Sequence, residues 1–242
     1  MNRPLAIQQH KVFLGTRALP CPYIEGKTER KVVTDLAMPG AGELYDRLSR
    51  AGFRRSHSLA YRPACPGCNA CVPVRIRVED FSWSKSFRRA MNRNADLVAH
   101  DMTAHATMEQ YKLFLRYQRS RHNGGEMETM GYRDYRAMIE ESPLDTRVIE
   151  FRHRESDELI GVMLADRQSD ALSAVYSIYD TRDDRRSMGT YMVLWMVERA
   201  AELNLPYVYL GYWVENSPKM AYKARFRPLE GFGPDGWRVV SG

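Results

Sequence analysis

Apolar and polar positions alternate regularly in the second half of the chain, from Thr146 onward, and divide it into distinct elements. Three stretches rich in β-branched and aromatic residues predict strands separated by polar turns: "TRVIEF", "LIGVMLADR" and "LSAVYSIYD". The next stretch, "MGTYMVLWMVERAAELN", has apolar residues at helical spacing and predicts a long helix. A further strand, "YVYLGYW", and a last helix, "SPKMAYKARF", complete the predicted order β-β-β-α-β-α.

The first half of the chain has shorter elements, separated by glycine and proline. "GELYDRLSRAGF" predicts a helix, because Leu44 and Leu48 share one face and Gly52 ends it. "RRSHSLAYRP" and "VPVRIRVEDF" alternate as strands do, and a cysteine-containing loop joins them. Three further helices are predicted, in "SWSKSFRRAMNRNADL", "TMEQYKLFLRYQRSRH" and "YRDYRAMIEE". We expect an α+β protein, with a smaller N-terminal domain over residues 1–100 that carries the cysteine loop and a larger domain over residues 101–242.

Composition adds constraints on location and partners. Hydrophobic residues make up 44% and charged residues 27% of the 242 residues, and no apolar run approaches the roughly 18 to 20 residues that span a bilayer. The N-terminal stretch has neither the apolar core nor the cleavage pattern of a secretion signal. We therefore expect a cytoplasmic protein with no membrane partner. The net charge of +6 is compatible with a nucleic-acid partner or an anionic substrate without requiring either.

The cysteines are the most conspicuous local pattern. Three of the four lie in "ACPGCNAC", at Cys65, Cys68 and Cys71, and the fourth is Cys21. A reducing cytoplasm disfavours structural disulfides, and this spacing brings three sulfurs onto one small loop, which suits zinc or an iron–sulfur cluster. Cys21 completes four ligands if the N-terminal segment folds back. The alternatives are thiols that pack the loop and a catalytic nucleophile, for which no histidine has a recognisable pairing.

Basic side chains concentrate on one predicted helix and just before the long helix: Lys85, Arg88, Arg89 and Arg93, then Arg185 and Arg186. The helix face is either a solvated surface or a surface that contacts phosphates. In "RRSMGTY", Ser187 is placed to cap the long helix, and Gly189 is either an ordinary helix-start glycine or part of a phosphate-binding turn. The loop and the element order resemble those of GNAT-type acyltransferases, although Tyr191 replaces the last small residue of their acyl-CoA motif.

Five ordered motifs together resemble the aminoacyl-tRNA–protein transferases: "CPY", "GFRRSHSLAYRPACPGCNACVPVRI", "SMGTYMVLWMVERA", "YVYLGYW" and "KMAYKARFRPLE". They span nearly the whole chain, from about residue 10 to residue 230. Within that family the chain is similar to the bacterial aspartate/glutamate leucyltransferases, because "CPY" and "CPGC" stand where eukaryotic arginyltransferases have Cys-Gly-Tyr-Cys and a paired Cys-Cys. The resemblance also favours an iron–sulfur cluster over zinc, since related arginyltransferases are thought to hold a cluster.

The resemblance implies a GNAT-like fold for the larger domain and a reaction with two partners, leucyl-tRNA and proteins that begin with Asp or Glu. Leucine passes to the α-amine of the protein, which then becomes a substrate for N-degron degradation. An aminoacyl ester is already activated, and an α-amine with a pKa near 8 is partly neutral at pH 7. Positioning and oxyanion stabilisation can then carry the rate, with no cofactor required for the transfer.

Roles follow for particular residues. Proton removal from the amine is predicted for Asp180, Tyr179 or Tyr212, close to strand ends. An acidic N-terminal side chain needs a cation, and the predicted acceptor-binding residues are Arg62, Arg75, Arg77, Lys219, Tyr222 and Lys223. The two basic groups, with Ser187 and Gly189, are predicted to bind tRNA phosphates, and Trp213 or Tyr212 to stack on the terminal adenine.

Three rival functions share parts of this pattern. An arginyl-tRNA–protein transferase would differ only in the donor. An N-acetyltransferase would use acetyl-CoA with the same fold, against which Tyr191 and the basic first half argue. A metal-dependent redox sensor or nucleic-acid-binding module would be built on the cysteine loop, but it leaves the C-terminal motifs unexplained.

Overall fold

A computed structural model of the protein describes residues 12–215, 217–218 and 220–240. Within these ranges the strands are β1 (Leu14–Gly15), β2 (Leu19–Pro20), β3 (Thr28–Glu29), β4 (Lys31–Asp35), β5 (Arg54–Ser56), β6 (Leu59–Pro63), β7 (Val72–Arg77), β8 (Leu97–Thr103), β9 (Thr146–His153), β10 (Leu159–Arg167), β11 (Ala171–Tyr179), β12 (Tyr207–Trp213), β13 (Leu229–Gly233) and β14 (Gly236–Val239). The α-helices are α1 (Ala41–Arg50), α2 (Lys85–Arg93), α3 (Met108–Arg121), α4 (Tyr132–Glu140) and α5 (Met188–Glu202). None of the helices in these ranges is long and apolar enough to span a membrane.

Eight strands form one mixed sheet in the order β14-β13-β7-β12-β11-β10-β9-β8. β9, β10 and β11 form an antiparallel meander, and α5 then crosses back so that β12 pairs with β11 in parallel. Parallel neighbours require a crossover of this kind. β7 comes from the first half of the chain and lies between β12 and β13, antiparallel to both. The predicted α+β class, with its GNAT-like order of meander, crossover helix and further strand, is confirmed.

Helices cover both faces of the large sheet. On one face, α2 and α5 bury Phe87 and Leu194 in the largest apolar cluster. On the other face, α3 and α4 bury Phe114 and Tyr135 beside Val162 of β10. β10 lies in the middle of these layers and is buried along almost its whole length. Burial on both faces explains why its sequence is a nearly continuous apolar run.

A smaller sheet, in the order β1-β4-β6-β5, packs with α1 around a separate core that includes Leu36, Tyr45 and Ala60. A buried ion pair joins this unit to the large sheet. Arg55 of β5 donates two hydrogen bonds to the carboxylate of Asp166 on β10, at 2.7 and 2.6 Å. Because a buried charge is costly without its partner, this bidentate pair holds the two sheets in one relative position.

Two details of the second half differ from the prediction. The described residues of "SPKMAYKARF" include a 3₁₀ helix at Ala221–Arg225 and no α-helix. Pro228 disfavours a helical conformation at Arg227, so a helix could not continue past this point. The side chain of Lys223 donates hydrogen bonds to the backbone of β12. β13 and β14 were not predicted, because their glycines, as in "GFGPDGW", are typical of loops.

Ser187 stands at the start of α5 as predicted but does not cap it. Its backbone is left-handed, with φ of 53°, and its side chain makes no capping hydrogen bond to the helix. The division of the chain at residue 100 stays a prediction. β7 and β8, which lie near that division, are both members of the large sheet.

Candidate active site

The parallel strands β11 and β12 separate toward their C-terminal ends. They pair only over Ala171–Ser173 and Tyr207–Tyr209, although both strands continue beyond these residues. The register of β12 against β7 shifts after Tyr209, and Gly211 has a φ of 81°, a conformation that favours glycine. The bulge turns β12 away from β11, and a cleft opens in the sheet between the two strand ends.

Two cations occupy the point where the pairing of these strands stops. Arg54 of β5 donates to the Ser173 hydroxyl at 3.0 Å and to the Ala174 carbonyl of β11. Lys223 donates to two β12 carbonyls, those of Leu210 at 2.8 Å and Tyr212 at 2.7 Å. Ala174, Leu210 and Tyr212 lie just beyond the last paired residues, so the two side chains replace part of the interrupted strand ladder. Burial and the charge of Arg54 lower the pKa of Lys223 to about 7.

A cavity of about 580 Å³ lies in the cleft, and we call it the cleft cavity. Its floor is apolar and buried, and is formed by Met163, Met188, Met192, Val193 and Leu210. Its rim is polar and aromatic, and is formed by Tyr117, Arg121, His122, Tyr179, Asp180, Asp183, Asp184, Ser187, Gly189, Thr190 and Tyr222. The cavity therefore offers an apolar subsite below and hydrogen-bonding and stacking groups above.

The N-terminus of α5 forms part of the rim. The first N–H groups of a helix have no partner within it, and the helix dipole is positive at this end. At Gly189 an added Cβ would lie 3.5 Å from the ring of Tyr179, so the tyrosine packs directly against this turn. The first turn of α5 is therefore suited to stabilise negative charge that develops in the cavity.

Asp180 is the best-placed carboxylate of the rim. Arg182 donates to both of its oxygens, and the arginine also bonds Glu158 at 2.7 Å. Burial alone would raise the pKa of Asp180, but the hydrogen bonds and charge of Arg182 lower it below its usual value. Asp180 is therefore a charged acceptor at neutral pH and only a weak base.

Five of the predicted site residues meet at the cleft cavity: Tyr179, Asp180, Ser187, Gly189 and Tyr222. Tyr212 lies elsewhere, because its hydroxyl hydrogen-bonds the carbonyls of Gly52 at 3.1 Å and Tyr61 at 3.0 Å. Burial raises its pKa, which makes it a poor proton acceptor. Trp213 likewise lies away from the cleft cavity and lines two cavities beside the cysteine loop.

The predicted acceptor cations are dispersed. Arg75 is buried in a 2.7 Å ion pair with Glu230, and Arg77 pairs with Asp80 at 2.6 Å. Arg62 donates to the Ala51 carbonyl at 3.0 Å and lines the cavity beside the cysteines. Lys223 bonds the backbone of β12, as described above, and Lys219 lies outside the described residues.

The basic residues predicted to bind tRNA lie on α2 and on the turn before α5. Four exposed basic residues lie on α2: Lys85, Arg88, Arg89 and Arg93. The C-terminal end of α2 is joined to the turn before α5, because Arg93 donates to the Arg185 carbonyl at 2.8 Å and Arg186 pairs with Asp96 at 2.6 Å. Arg185 itself pairs with Asp183 on the rim. The basic surface thus reaches the mouth of the cleft cavity.

The four cysteines line a second cavity, of about 610 Å³, which we call the cysteine cavity. Burial, followed by the charges of the other three thiols, raises the pKa of Cys71 to about 11. In the described part of the chain, no group of three or more His, Cys, Asp or Glu side chains is arranged to hold a metal ion. The geometry does not support the predicted metal site at Cys21, Cys65, Cys68 and Cys71.

Several residues of the site were not predicted from the sequence. The position of Arg54 could not be predicted from the sequence around it, because its role depends on a contact with a strand more than a hundred residues away. The floor methionines lie on β10, at Met163, and at the start of α5, at Met188 and Met192, within apolar runs that predict only buried elements. Tyr117 offered a usable signal, since it continues the apolar face of Leu113 and Phe114 toward the glycine-containing loop.

The family is shown by comparison with known proteins. A family profile described as "Arginine-tRNA-protein transferase, C terminus" matches residues 109–233, and the profile of the corresponding N terminus matches residues 19–89. The chain belongs to the arginine-tRNA–protein transferase family. The family match spans both the cysteine loop and the strands that form the cleft.

Similar members of the family bear a more specific name. A protein of Paramagnetospirillum magneticum is 54% identical over 226 residues, which cover 93% of this chain and 92% of the relative. One of Rhodospirillum rubrum is 52% identical over 238 residues, with 98% and 94% covered. Both are named aspartate/glutamate leucyltransferase. Among solved structures, L-PGS from Bacillus licheniformis shares 11% identity at a TM-score of 0.47, covering 60% of this chain and 47% of that one.

Proposed function

We propose that this protein transfers leucine from leucyl-tRNA to the α-amino group of proteins that begin with Asp or Glu. The observation that carries this proposal is the identity of about half the residues, over more than nine-tenths of the chain, with proteins named aspartate/glutamate leucyltransferase. The cleft cavity supports it, because an apolar floor beside a basic surface suits an aminoacyl end carried by a polyanion.

The proposed reaction is an acyl transfer from oxygen to nitrogen. The neutral α-amine of the acceptor attacks the ester carbonyl of leucyl-tRNA, and a C–N bond forms as the carbonyl electrons move onto oxygen. When the tetrahedral intermediate collapses, the ester C–O bond breaks and the terminal ribose hydroxyl leaves. The proton lost by the amine ends on that hydroxyl. Bonds, charge and protons balance without an oxidant, a reductant or a cofactor.

The protein is proposed to act mainly by placing the two reactants together. The N–H groups at the start of α5 face the oxyanion, and Gly189 leaves the room for this approach. Asp180, charged and held by Arg182, orients the attacking amine and stabilises the positive charge that develops on its nitrogen as the C–N bond forms. Tyr179, which also lies on the rim, relays the proton from nitrogen to the leaving oxygen. Proximity contributes more than basicity in such a site.

We propose that the tRNA lies across α2, with its 3′ end in the cleft cavity. The exposed cations of α2 contact phosphates, and Arg93 continues this contact to the turn before α5. The terminal adenine stacks on a rim tyrosine, Tyr117 or Tyr222, rather than on Tyr212, whose hydroxyl is fixed between two carbonyls.

For the acidic side chain of the acceptor, we propose Arg62 among the cations predicted from the sequence. Its guanidinium bonds only the Ala51 carbonyl and the face of Phe232 in the described part of the chain, whereas Arg75 and Arg77 already hold carboxylates. Replacement of Arg62 by Ala is expected to raise the KM for an Asp-peptide severalfold and leave the KM for leucyl-tRNA unchanged. If the KM for the Asp-peptide is the same in this variant and in the wild type, Arg62 does not bind the acidic side chain.

One experiment tests the proposed reaction against its rivals. The protein is incubated with labelled leucyl-tRNA, arginyl-tRNA or acetyl-CoA and with otherwise identical peptides that begin with Asp or Ala. The buffer has cytoplasmic composition and contains a chelator. We expect the label to appear only on the Asp-peptide and only when leucyl-tRNA is the donor. Label from arginyl-tRNA alone, or from acetyl-CoA alone, would refute the proposal.

A further inference from the structure

The buried floor of the cleft cavity has a chemistry different from its rim. Met163, Met188, Met192, Val193 and Leu210 are each less than a tenth exposed, and their side chains are all apolar. We propose that this floor is the subsite for the side chain of the transferred amino acid, and that it selects leucine by shape and by the absence of charge. This inference depends on the acyl transfer proposed above.

The depth of the floor depends on a glycine of β10. A Cβ at Gly161 would lie 2.4 Å from the Met192 methyl carbon and 3.2 Å from that of Met188. Any other residue at position 161 would force the Met192 methyl group to move and would also crowd that of Met188. Gly161 thus lets the two side chains lie against the sheet and keeps space above them. Methionine is flexible and polarizable, so this surface adapts closely to a branched aliphatic group.

Charge at the rim argues against a cationic side chain in this subsite. The three rim carboxylates each have an arginine partner within the protein: Asp180 with Arg182, Asp183 with Arg185, and Asp184 with Arg121. A guanidinium entering the cavity would find no unpaired carboxylate among the described lining residues. It would also lose hydration over the apolar floor, at a cost that a neutral side chain does not pay.

The competing occupant of the floor is the terminal adenine of the tRNA. An adenine has polar edges that need hydrogen-bond partners and a flat face that prefers aromatic rings. The rim provides these rings in Tyr117, Tyr179 and Tyr222, whereas the floor provides thioethers and aliphatic groups. The leucyl side chain therefore matches the floor better than the base does.

The test uses one tRNA body charged with leucine, valine, phenylalanine or arginine, so that only the amino acid varies. The primary variant is Met192→Ala, which widens the floor. We expect the ratio of kcat/KM for leucine to kcat/KM for phenylalanine to fall by roughly tenfold or more, the usual scale for a change of a methylene or two in an apolar pocket. Because both values come from one preparation, a loss of folded protein cancels in the ratio.

The matched control is Met196→Ala. Met196 lies one turn further along α5, is as deeply buried as Met192, and does not line the cleft cavity. Its leucine-to-phenylalanine ratio should stay within about twofold of the wild-type value. If Met192→Ala does not yield folded protein, the milder Met192→Leu is measured in its place, with an altered leucine-to-valine ratio expected.

The outcomes separate this inference from the proposed reaction. If the wild-type protein transfers leucine and the ratio is unchanged in Met192→Ala and Met192→Leu, the subsite lies elsewhere. If either variant raises KM equally for all four charged tRNAs and weakens inhibition by the uncharged tRNA, the floor holds the adenine and the inference is wrong. If the wild-type protein transfers no leucine at all, the proposed reaction itself fails.

Discussion

The cleft cavity and the cysteine cavity are similar in size, but they are built in different ways. The first lies between two strands of the large sheet, and its walls come from α3, α5, β10 and β11. The second is lined partly by β7, β12, β13 and β14 of the large sheet and partly by the loops around β3 and the cysteines. The cleft cavity brings together groups from strand ends and from the start of a helix, whereas the four cysteines all stand in loops. The comparison teaches that the residue types most conspicuous in the sequence need not mark the place where reactive groups converge.

The largest effect is expected from Gly189→Val at the start of α5. An added Cβ alone is in ordinary contact with Tyr179, at 3.5 Å, but the branches of valine would displace this ring. We expect kcat/KM for leucyl transfer to fall by roughly 100-fold, as small misplacements in a positioning site often do. Steady-state transfer to an Asp-peptide measures the change. Gly189→Ala is the control and should retain activity within about threefold; equal losses in the two variants would contradict this role of the turn.

The next effect concerns the cations that replace the ladder between β11 and β12. Arg54→Met would leave the Ala174 carbonyl and the Ser173 hydroxyl without their donor in a buried region. We expect the free energy of unfolding to fall by roughly 1–3 kcal/mol, the cost of an unsatisfied buried polar group. Urea unfolding measures it. The matched control is Arg62→Met at an exposed arginine, which should lower the free energy of unfolding by less than about 0.5 kcal/mol. If the two variants lose the same amount of stability, Arg54 has no special structural role.

Lys223 adds a pH dependence to the same region. Its pKa is lowered to about 7 in the folded protein, against about 10.4 in an unfolded chain. Between these values the unfolded chain binds the proton and the folded protein does not, so this group's contribution to stability rises as pH increases above 7. The difference in unfolding free energy between wild type and Lys223→Met should therefore grow in favour of the wild type from pH 7 to pH 9. A difference that is constant with pH would show that Lys223 titrates normally.

A smaller effect is expected on the basic surface of α2. Arg88→Ala combined with Arg89→Ala should weaken tRNA binding severalfold and flatten its salt dependence. The slope of log K against log salt should fall by about 0.7 to 0.9 for each phosphate that the variant no longer neutralises. Filter binding of uncharged tRNA at several salt concentrations measures it. The control is Arg136→Ala, an exposed arginine of α4 that pairs with Glu140. If the slope changes as much in the control as in the α2 variant, the tRNA does not bind specifically across α2.

The smallest effect is expected from the cysteines of the cysteine cavity. Cys65→Ser and Cys71→Ser, singly, should change leucyl transfer by less than about twofold, because the ester and amine need no thiol. Metal analysis of anaerobically purified wild-type protein should find well under one equivalent of iron and zinc. Stoichiometric metal, or loss of transfer in both serine variants, would show that the cysteines are needed for the activity or the structure of the protein.

Much of the fold could be predicted because its elements carry strong local patterns. β10 and β12 have the bounds expected from their apolar runs, and α5 begins at Met188 as expected. The end of the chain could not be predicted, because the spacing in "SPKMAYKARF" does not distinguish a short 3₁₀ helix from an α-helix, and glycine-containing strands have low intrinsic propensity. Pairing partners were also hidden, since nothing in the local sequence of β7 shows that it lies beside β12.

The candidate site was predicted in part for the same reason. Tyr179, Asp180 and Gly189 follow directly from the ends of predicted elements, where functional groups are often placed. Tyr212 was assigned to the site from the sequence, but the bulge at Gly211 turns its hydroxyl toward Tyr61 instead. A single extra residue in a strand reverses the direction of the side chains that follow, and alternation alone does not reveal it.

The place of β7 in the large sheet has a consequence for biosynthesis. This strand is synthesised early, but both its neighbours, β12 and β13, lie more than 120 residues later in the chain. A nascent chain on the ribosome therefore keeps β7 without its sheet partners until nearly the whole protein has emerged. Such long-range pairing forms slowly, and an unpaired strand is prone to misfolding and aggregation. A truncated translation product would lack the complete cleft, so the protein would acquire its activity only at the end of its synthesis.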